Sequence, residues 1–273
     1  MRLVPLGALV ALLLPNVAAA QSGTSALDAL VAAYPDALAR HDDSTLYWRD
    51  GTRMAVSDGA ADKSFRQRLR NASILDQFRL AYPRGALARP PGVNDDPGRF
   101  RNEAFFDKLY GDCRKGEVKR HLVPVVWLPK SWGKKIYVTG VNGVAARLEA
   151  ISREIDALPA AIKRAAYPVA GVYACRPVKD TGRPSMHGYA AAIDLNVTRS
   201  DYWLWQKTSG PTVYRNRMPQ TVVDIFERHG FIWGGKWYHF DTMHFEYRPE
   251  LMGLSGQPSP ATQRPPSGPS LQQ

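Results

Sequence analysis

Two short stretches constrain this chain more than anything else in it: Ser185-Met186-His187-Gly188-Tyr189-Ala190-Ala191-Ala192-Ile193-Asp194 and Asp241-Thr242-Met243-His244. Between them they hold two imidazoles and two carboxylates. Fully extended, the chain from His187 to Asp194 would span roughly 23 Å, far too long for two ligands of one ion. The backbone must therefore reverse between them, and Gly188 with Ala190, Ala191 and Ala192 makes a reversal easy. Ile193, Leu195 and Val197 alternate with Asp194 and Asn196, which reads as a strand whose polar side faces a cleft. Asp241 precedes His244 by three residues in a tight segment ahead of a last strand. His187, Asp194 and His244 as ligands, with Asp241 held off the ion, form the donor set of a catalytic zinc site: three protein ligands, an open position and a base beside it.

The remaining pattern is mixed. Ser25 to Arg40 reads as helical, with Pro35 breaking or kinking it. Thr45–Trp48 and Arg53–Val56 flank Asp50-Gly51, a hairpin signal. A helix is expected over 65–80, a loop over 85–100 and a buried strand over 122–128. Val144, Leu148, Ile151, Ile155 and Leu158 recur at helical spacing between Asn142, a plausible cap, and Pro159. Val169–Cys175 reads as a strand, 219–229 as a helix closed by Gly230, and Phe231–Trp233 and His244–Tyr247 as strands. The fold class expected is α+β.

The first twenty residues read as a signal peptide. Arg2 precedes the apolar run Leu3–Leu14, and Ala18-Ala19-Ala20 supplies the small residues for cleavage after Ala20. No later run is long enough to span a membrane. The expected product is an exported chain of roughly 250 residues, in the periplasm or cell envelope. Export gives its two cysteines, Cys113 and Cys175, a disulfide reading. Two zinc thiolates are the alternative, disfavoured by their wide separation. The formal charge of +11 suits an anionic wall polymer or membrane surface, or simply keeps the chain soluble. Nucleic acid is not expected as a partner, because the basic residues are scattered rather than clustered with exposed aromatics. From Gly253 the chain is rich in Ser, Pro, Gln and Gly and reads as a disordered tail.

The two motifs resemble those of bacterial cell-wall zinc peptidases, the VanY-type D-alanyl-D-alanine carboxypeptidases and L-alanyl-D-glutamate endopeptidases. Ser-x-His-x-x-Gly-x-Ala-x-Asp matches at Ser185, His187, Ala192 and Asp194. It departs at Ala190, where the family usually has Gly, so Ala there costs backbone freedom if φ must be positive. Trp-Gly-Gly-x-Trp followed by Asp-x-x-His-Phe-Glu matches at Trp233, Gly234, Gly235, Trp237, Asp241, His244, Phe245 and Glu246. Many relatives have an acidic residue where Lys236 stands. The resemblance covers about residues 140–250.

It implies a small antiparallel sheet with flanking helices around a zinc cleft, of the hedgehog/DD-peptidase kind. Residues 136–252 would form the catalytic domain and 21–135 a mixed N-terminal extension packed on it. It also implies one Zn2+ per chain on His187, Asp194 and His244, and the chain is expected to be a monomer. Asp241 would take a proton from the attacking water and pass it to the leaving amine. Arg176 would steady an oxyanion or a substrate carboxylate. Ser185, His239 and Trp237 are candidate contacts to substrate, which the resemblance gives as peptidoglycan stem peptides. Terminal trimming and internal cutting both remain open, and so does a non-catalytic peptidoglycan-binding module on the same fold.

Overall fold

The computed structural model describes residues 22–178, 182–206 and 212–253. The expected signal peptide lies outside them, as does the expected tail beyond Gly253. The architecture is α+β: small antiparallel sheets among several helices. No helix among the described residues is long and apolar enough to cross a membrane.

Helix α1 (Ser22–Ala33) stops ahead of Pro35 and does not run on to Arg40. The Tyr34 carbonyl accepts from Ala37 N at 3.0 Å and Leu38 N at 2.9 Å, closing a turn. Pro35 has no N–H to carry a helix further. Leu38–His41 is instead strand β1, paired with β2 (Thr45–Trp48), which pairs with β3 (Arg53–Ala55). The expected Asp50-Gly51 turn joins the last two, with Gly51 at φ +85° and Asp50 Oδ1 accepting from Thr52 N at 3.0 Å. The helix expected over 65–80 is cut short. Helix α2 (Phe65–Arg70) has a Ser64–Gln67 capping box. Past Asn71 the chain is drawn to Asp76, whose Oδ2 accepts from Ser73 N at 2.9 Å and Lys63 Nζ at 2.7 Å. An irregular stretch then leads into α3 (Glu103–Tyr110), capped by Asn102.

Strands β4 (Leu122–Trp127) and β5 (Lys134–Thr139) form a two-stranded ribbon. In β4 only Val125 and Trp127 are buried, because one face of the ribbon meets solvent. Helix α4 (Val144–Asp156) buries its expected stripe of Val144, Leu148, Ile151 and Ile155. Its cap is Gly143, and Asn142, itself at φ +54°, makes no side-chain cap. After the short α5 (Ala160–Lys163), the strand expected at Val169–Cys175 shrinks to one bridge, Gly171 to Asp194.

The motif-bearing sheet is β6 (Ala192–Asp194), β8 (His244–Tyr247) and β7 (Phe231–Trp233), antiparallel with β8 in the middle. Strand β6 ends sooner than the alternation to Val197 suggested, because Asn196 Oδ1 accepts from Thr198 N at 3.0 Å and turns the chain. Helix α6 (Gln220–Arg228) precedes β7, and Gly230 at φ +85° makes the corner. Alternation sends Phe245 and Tyr247 to one face of β8 and His244 and Glu246 to the other. Phe245 stacks on Phe226 of α6 with ring centres 4.0 Å apart. Leu27 of α1, Phe105 of α3, Ile193 and Phe245 all belong to one buried cluster, so the first hundred residues share a core with the motif sheet.

Cys113 and Cys175 are bonded across 62 residues of chain. The bond ties the turn after α3 to the segment that runs beside β6. Thiol titration of the denatured, unreduced protein is expected to find no free cysteine. Replacing both residues with Ser is expected to lower unfolding stability by about 2–4 kcal/mol, measured by denaturant titration.

Candidate metal centre

The register of one strand pair builds the centre. Asp194 of β6 lies directly opposite His244 of β8, so their side chains emerge on the same face as close neighbours. His187 is brought back to them by a tight helical turn, Met186–Tyr189. The turn ends at Ala190 with φ +53°, a left-handed backbone that Gly would adopt more freely. The Ala190 methyl gains a buried place against Cys113 and Val118 in return.

His187 Nε2, Asp194 Oδ1 and His244 Nδ1 form a nearly equilateral triangle, with edges of 3.0, 3.0 and 3.1 Å. A tetrahedral zinc with bonds of roughly 2.1 Å separates its ligands by about 3.4 Å, so the triangle is close to the size the ion needs. The far nitrogens are occupied. His187 Nδ1 donates to the Val172 carbonyl at 2.6 Å and His244 Nε2 to Glu246 Oε2 at 2.9 Å. Each bond keeps a proton on the outer nitrogen and turns the inner lone pair to the centre, as a metal-ligating imidazole requires. Burial and both histidines act on Asp194. Burial opposes its charge, and His187 and then His244 prevail, holding it well below the usual carboxylate range. Burial likewise opposes a charge on His244, but Asp194 and Glu246 raise its pKa to about 10. A dication on Nδ1 would take the place of the proton that the two carboxylates favour there.

Glu246 is completely buried, and its charge is met by several donors. Arg101 grips it with Nε at 3.2 Å and with Nη2, and Arg248 Nη1 reaches it at 3.2 Å. Burial would push this carboxyl up; Arg101, His244 and Arg248 hold it well below its ordinary range. The chain of contacts continues from Arg248 Nε to Glu250 at 2.5 Å and from Glu250 to the Tyr34 hydroxyl at 2.7 Å. The orientation of His244 is thus secured from the N-terminal part of the molecule.

Asp241 reaches the same cleft through two glycines. Gly234 O accepts from Asp241 N at 3.0 Å. A Cβ on Gly234 would stand 2.5 Å from the Asp241 carbonyl oxygen, and one on Gly235 2.1 Å from the Trp233 ring, so neither position has room for a side chain. Asp241 Oδ1 is buried with no hydrogen-bond partner among the described residues. Burial and then the nearby Asp194 carboxylate raise its pKa to about 6. An unpaired carboxylate oxygen beside an imidazole–carboxylate triad fits a dication and its water, and the raised pKa suits proton exchange near neutrality.

These groups line a cleft of about 440 Å³. Ser185, Arg176, His239 and Trp237 line it as well. Arg176 is exposed at its rim. Trp237 is mostly buried behind the centre, its ring 5.5 Å from His244 and its Nε1 tied to the Pro97 carbonyl at 2.7 Å. Lys236 turns away into the core, where it pairs with Glu227 and meets the Gly85 carbonyl at 2.6 Å. The opposite wall is aromatic. Tyr202 bridges to Asp241 and Trp203 N donates to the Phe240 carbonyl at 2.9 Å, while Leu204 and Trp205 stand exposed. Sequence reading missed Asp96, Arg99 and Arg101, which come from the irregular stretch before α3. Their partners lie more than 140 positions away, except for the local Asp96–Arg99 pair, and no spacing signals that. The role of Glu246 had a signal, since residues i and i+2 of a strand share a face.

Residues 179–247 match the family model described as D-alanyl-D-alanine carboxypeptidase. The matched stretch is about a quarter of the chain and contains both motifs. The resemblance read from those motifs is therefore shown over these residues, where the chain is similar to a family of peptidases. No curated protein and no solved structure matches the chain.

Arg101→Met is expected to lower stability by roughly 3 kcal/mol, because it strips a buried carboxylate of its main partner. Lys115→Met, at an exposed cation 4.0 Å from Asp112, is expected to change stability by less than about 0.5 kcal/mol. Urea denaturation of both variants checks the contrast.

Proposed function

We propose that the protein is an exported zinc peptidase that hydrolyses peptide bonds in peptidoglycan stem peptides, outside the cytoplasm. The observation that carries this reading is the triangle of His187 Nε2, Asp194 Oδ1 and His244 Nδ1 with the unpaired Asp241 Oδ1 in the same cleft. The family match across both motifs supports the substrate class. The disulfide and the apolar N-terminal segment support export.

His187, Asp194 and His244 hold the metal, one ion per chain. Zinc bound there supplies a polarised scissile carbonyl and a water made acidic enough to attack near neutral pH. Asp241, raised towards neutrality by its burial, accepts the proton of the attacking water. Arg176, at the rim, meets an oxyanion or a substrate carboxylate with paired N–H donors. Ser185 and Trp237 shape the bed in which the peptide lies.

The experiment measures zinc content beside muropeptide cleavage followed by mass spectrometry. His187→Ala is expected to lose most of the metal. Asp194→Asn is expected to bind zinc more weakly and to recover activity partly with added metal. Asp241→Asn is expected to keep its zinc and to lose turnover by a factor on the order of 100. Loss of one alanine marks a carboxypeptidase, and a cut within the stem marks an endopeptidase. Muropeptide binding without any cleavage by the zinc-loaded protein would instead mark a wall-binding module and sink the peptidase reading.

A further inference from the structure

A second cavity, of about 370 Å³, opens beside the metal cleft. Arg99, Trp203 and His239 line both spaces, so the two adjoin. The shared wall is held from several sides. Asp96 Oδ1 accepts from His239 N at 3.0 Å, and Asp96 Oδ2 from His239 Nδ1 at 2.6 Å. Phe65 stacks on the imidazole with ring centres 5.8 Å apart, and Trp203 meets it at 4.7 Å in a T-shaped contact. Arg99 Nη1 donates to Asp96 Oδ2 at 2.8 Å. The other wall is helix α2, which contributes Phe65, Arg66 and Arg70. Among the described residues that line this cavity there is no carboxylate.

Arg66 and Arg70 stand four residues apart on α2, so their side chains rise from one face of it. Arg68 of the same helix is engaged elsewhere, its Nε 3.1 Å from Asp76 Oδ1. Arg66 and Arg70 are exposed, and neither has an ion-pair or hydrogen-bond partner among the described residues. That separates them from Arg101, Arg114, Arg217, Arg228 and Arg248, each of which meets a carboxylate. The helix itself gains nothing from Arg66, because a cation in a first turn faces the positive end of the helix dipole. Two unpaired guanidinium groups, with Arg99 behind them and no acid in the lining, create a potential that favours an anion. Helix α2 and Arg99 lie ahead of residues 179–247, so the family match does not account for this cavity.

We propose that the cavity is a second substrate subsite, in which Arg66 and Arg70 bind a free carboxylate that the peptide carries away from the bond to be cut. The inference rests on the peptidase reading above. A guanidinium pairs with a carboxylate through two parallel N–H donors, and stays charged at any pH the protein meets. The rings of Phe65 and Trp203 offer apolar surface to the methylenes that bear such a group. Arg176 lines the metal cleft and not this cavity, so the two sites read different groups of one substrate. The consequence is selection by charge: a stem peptide with its side carboxylate free binds in preference to the same peptide with that carboxylate amidated.

The test uses the zinc-loaded full chain, a stem peptide that it cleaves, and the same peptide with its free carboxylates converted to carboxamides one at a time. For one of these amides KM is expected to rise roughly tenfold over the acid with kcat unchanged, the pattern of lost uniform binding. The double variant Arg66→Gln/Arg70→Gln is expected to raise KM for the acid by a similar factor and for that amide by less than about twofold, with zinc content and unfolding temperature unchanged. Lys135→Gln, an exposed cation on the β4–β5 ribbon, is expected to alter neither constant. Calorimetric Kd values for acid and amide, measured in an Asp241→Asn background that does not turn them over, are expected to show the same contrast. An unchanged KM in the double variant, or an equal rise for the acid and for every amide, overturns the subsite and leaves the peptidase reading standing. A zinc-loaded wild type that cleaves none of the peptides sinks the peptidase reading, and the Kd contrast then decides the subsite by itself.

Discussion

The cross-strand pairing of Asp194 with His244 is the constraint on which the rest depends. Side chains alternate along a strand, so a slip of one residue between β6 and β8 would set Asp194 against Phe245 and dissolve the triangle. What prevents the slip is the other face of the sheet. Phe245 on Phe226, and Tyr247 beside Phe231 with ring centres 5.2 Å apart, bury the apolar face of β8 against α6 and β7. The polar face gains its order from apolar packing on the opposite side.

That polar face is not simply left to water. Glu246, Arg248 and Glu250 are wholly buried beside the centre, together with the Tyr34 hydroxyl that Glu250 accepts from. Burying such charges costs several kcal/mol each unless every one is met, and here acids and bases alternate along the chain of contacts. Arg101 and the Gly98 carbonyl, which accepts from Arg248 Nη1 at 2.6 Å, close the network from the stretch before α3. Gly98 is held where a Cβ would stand 2.3 Å from Ile232 Cδ1, so the stretch lies tight on the strand below it. Residues far ahead of the motifs thus fix the tautomer of His244 and the ring of His239. They also carry Arg99 and Arg101 to the cleft wall. Part of the chain's positive charge therefore serves internal pairing.

The disulfide belongs to the same logic. Cys175 sits between Val172, whose carbonyl orients His187, and Arg176 at the cleft rim. This segment has one bridge to β6 instead of a full strand ladder, so the covalent tie to Cys113 replaces hydrogen bonds it does not make. On the opposite wall Tyr202 and Trp203 lean on the backbone of Phe240 and Asp241. The centre is thus held between a wall fixed covalently and a wall fixed by strand-like pairing.

Much of this was legible in the chain. The stripe of α4, the Asp50-Gly51 hairpin, α6 with its closing Gly230, strands β7 and β8, and the chain reversal between His187 and Asp194 all follow from local periodicity, turn chemistry and motif spacing. Those signals are written within a few residues of one another, and the sequence alone decides them. Where the reading failed, a distant partner or a local turn outweighed periodicity. Asp76 gathered Ser73 and Lys63 and ended α2 early, the solvent face of the β4–β5 ribbon left half of an apolar run exposed, and Tyr34 turned the chain into β1. Lys236 lies within the second motif, and only the fold reveals that it leaves the cleft to pair with Glu227. Asp96, Arg99 and Arg101 could not be assigned from the sequence for the same reason. Ion pairs and hydrogen bonds depend on distance in space, and the irregular backbone between α2 and α3 has no periodicity from which its course over the motif sheet can be read.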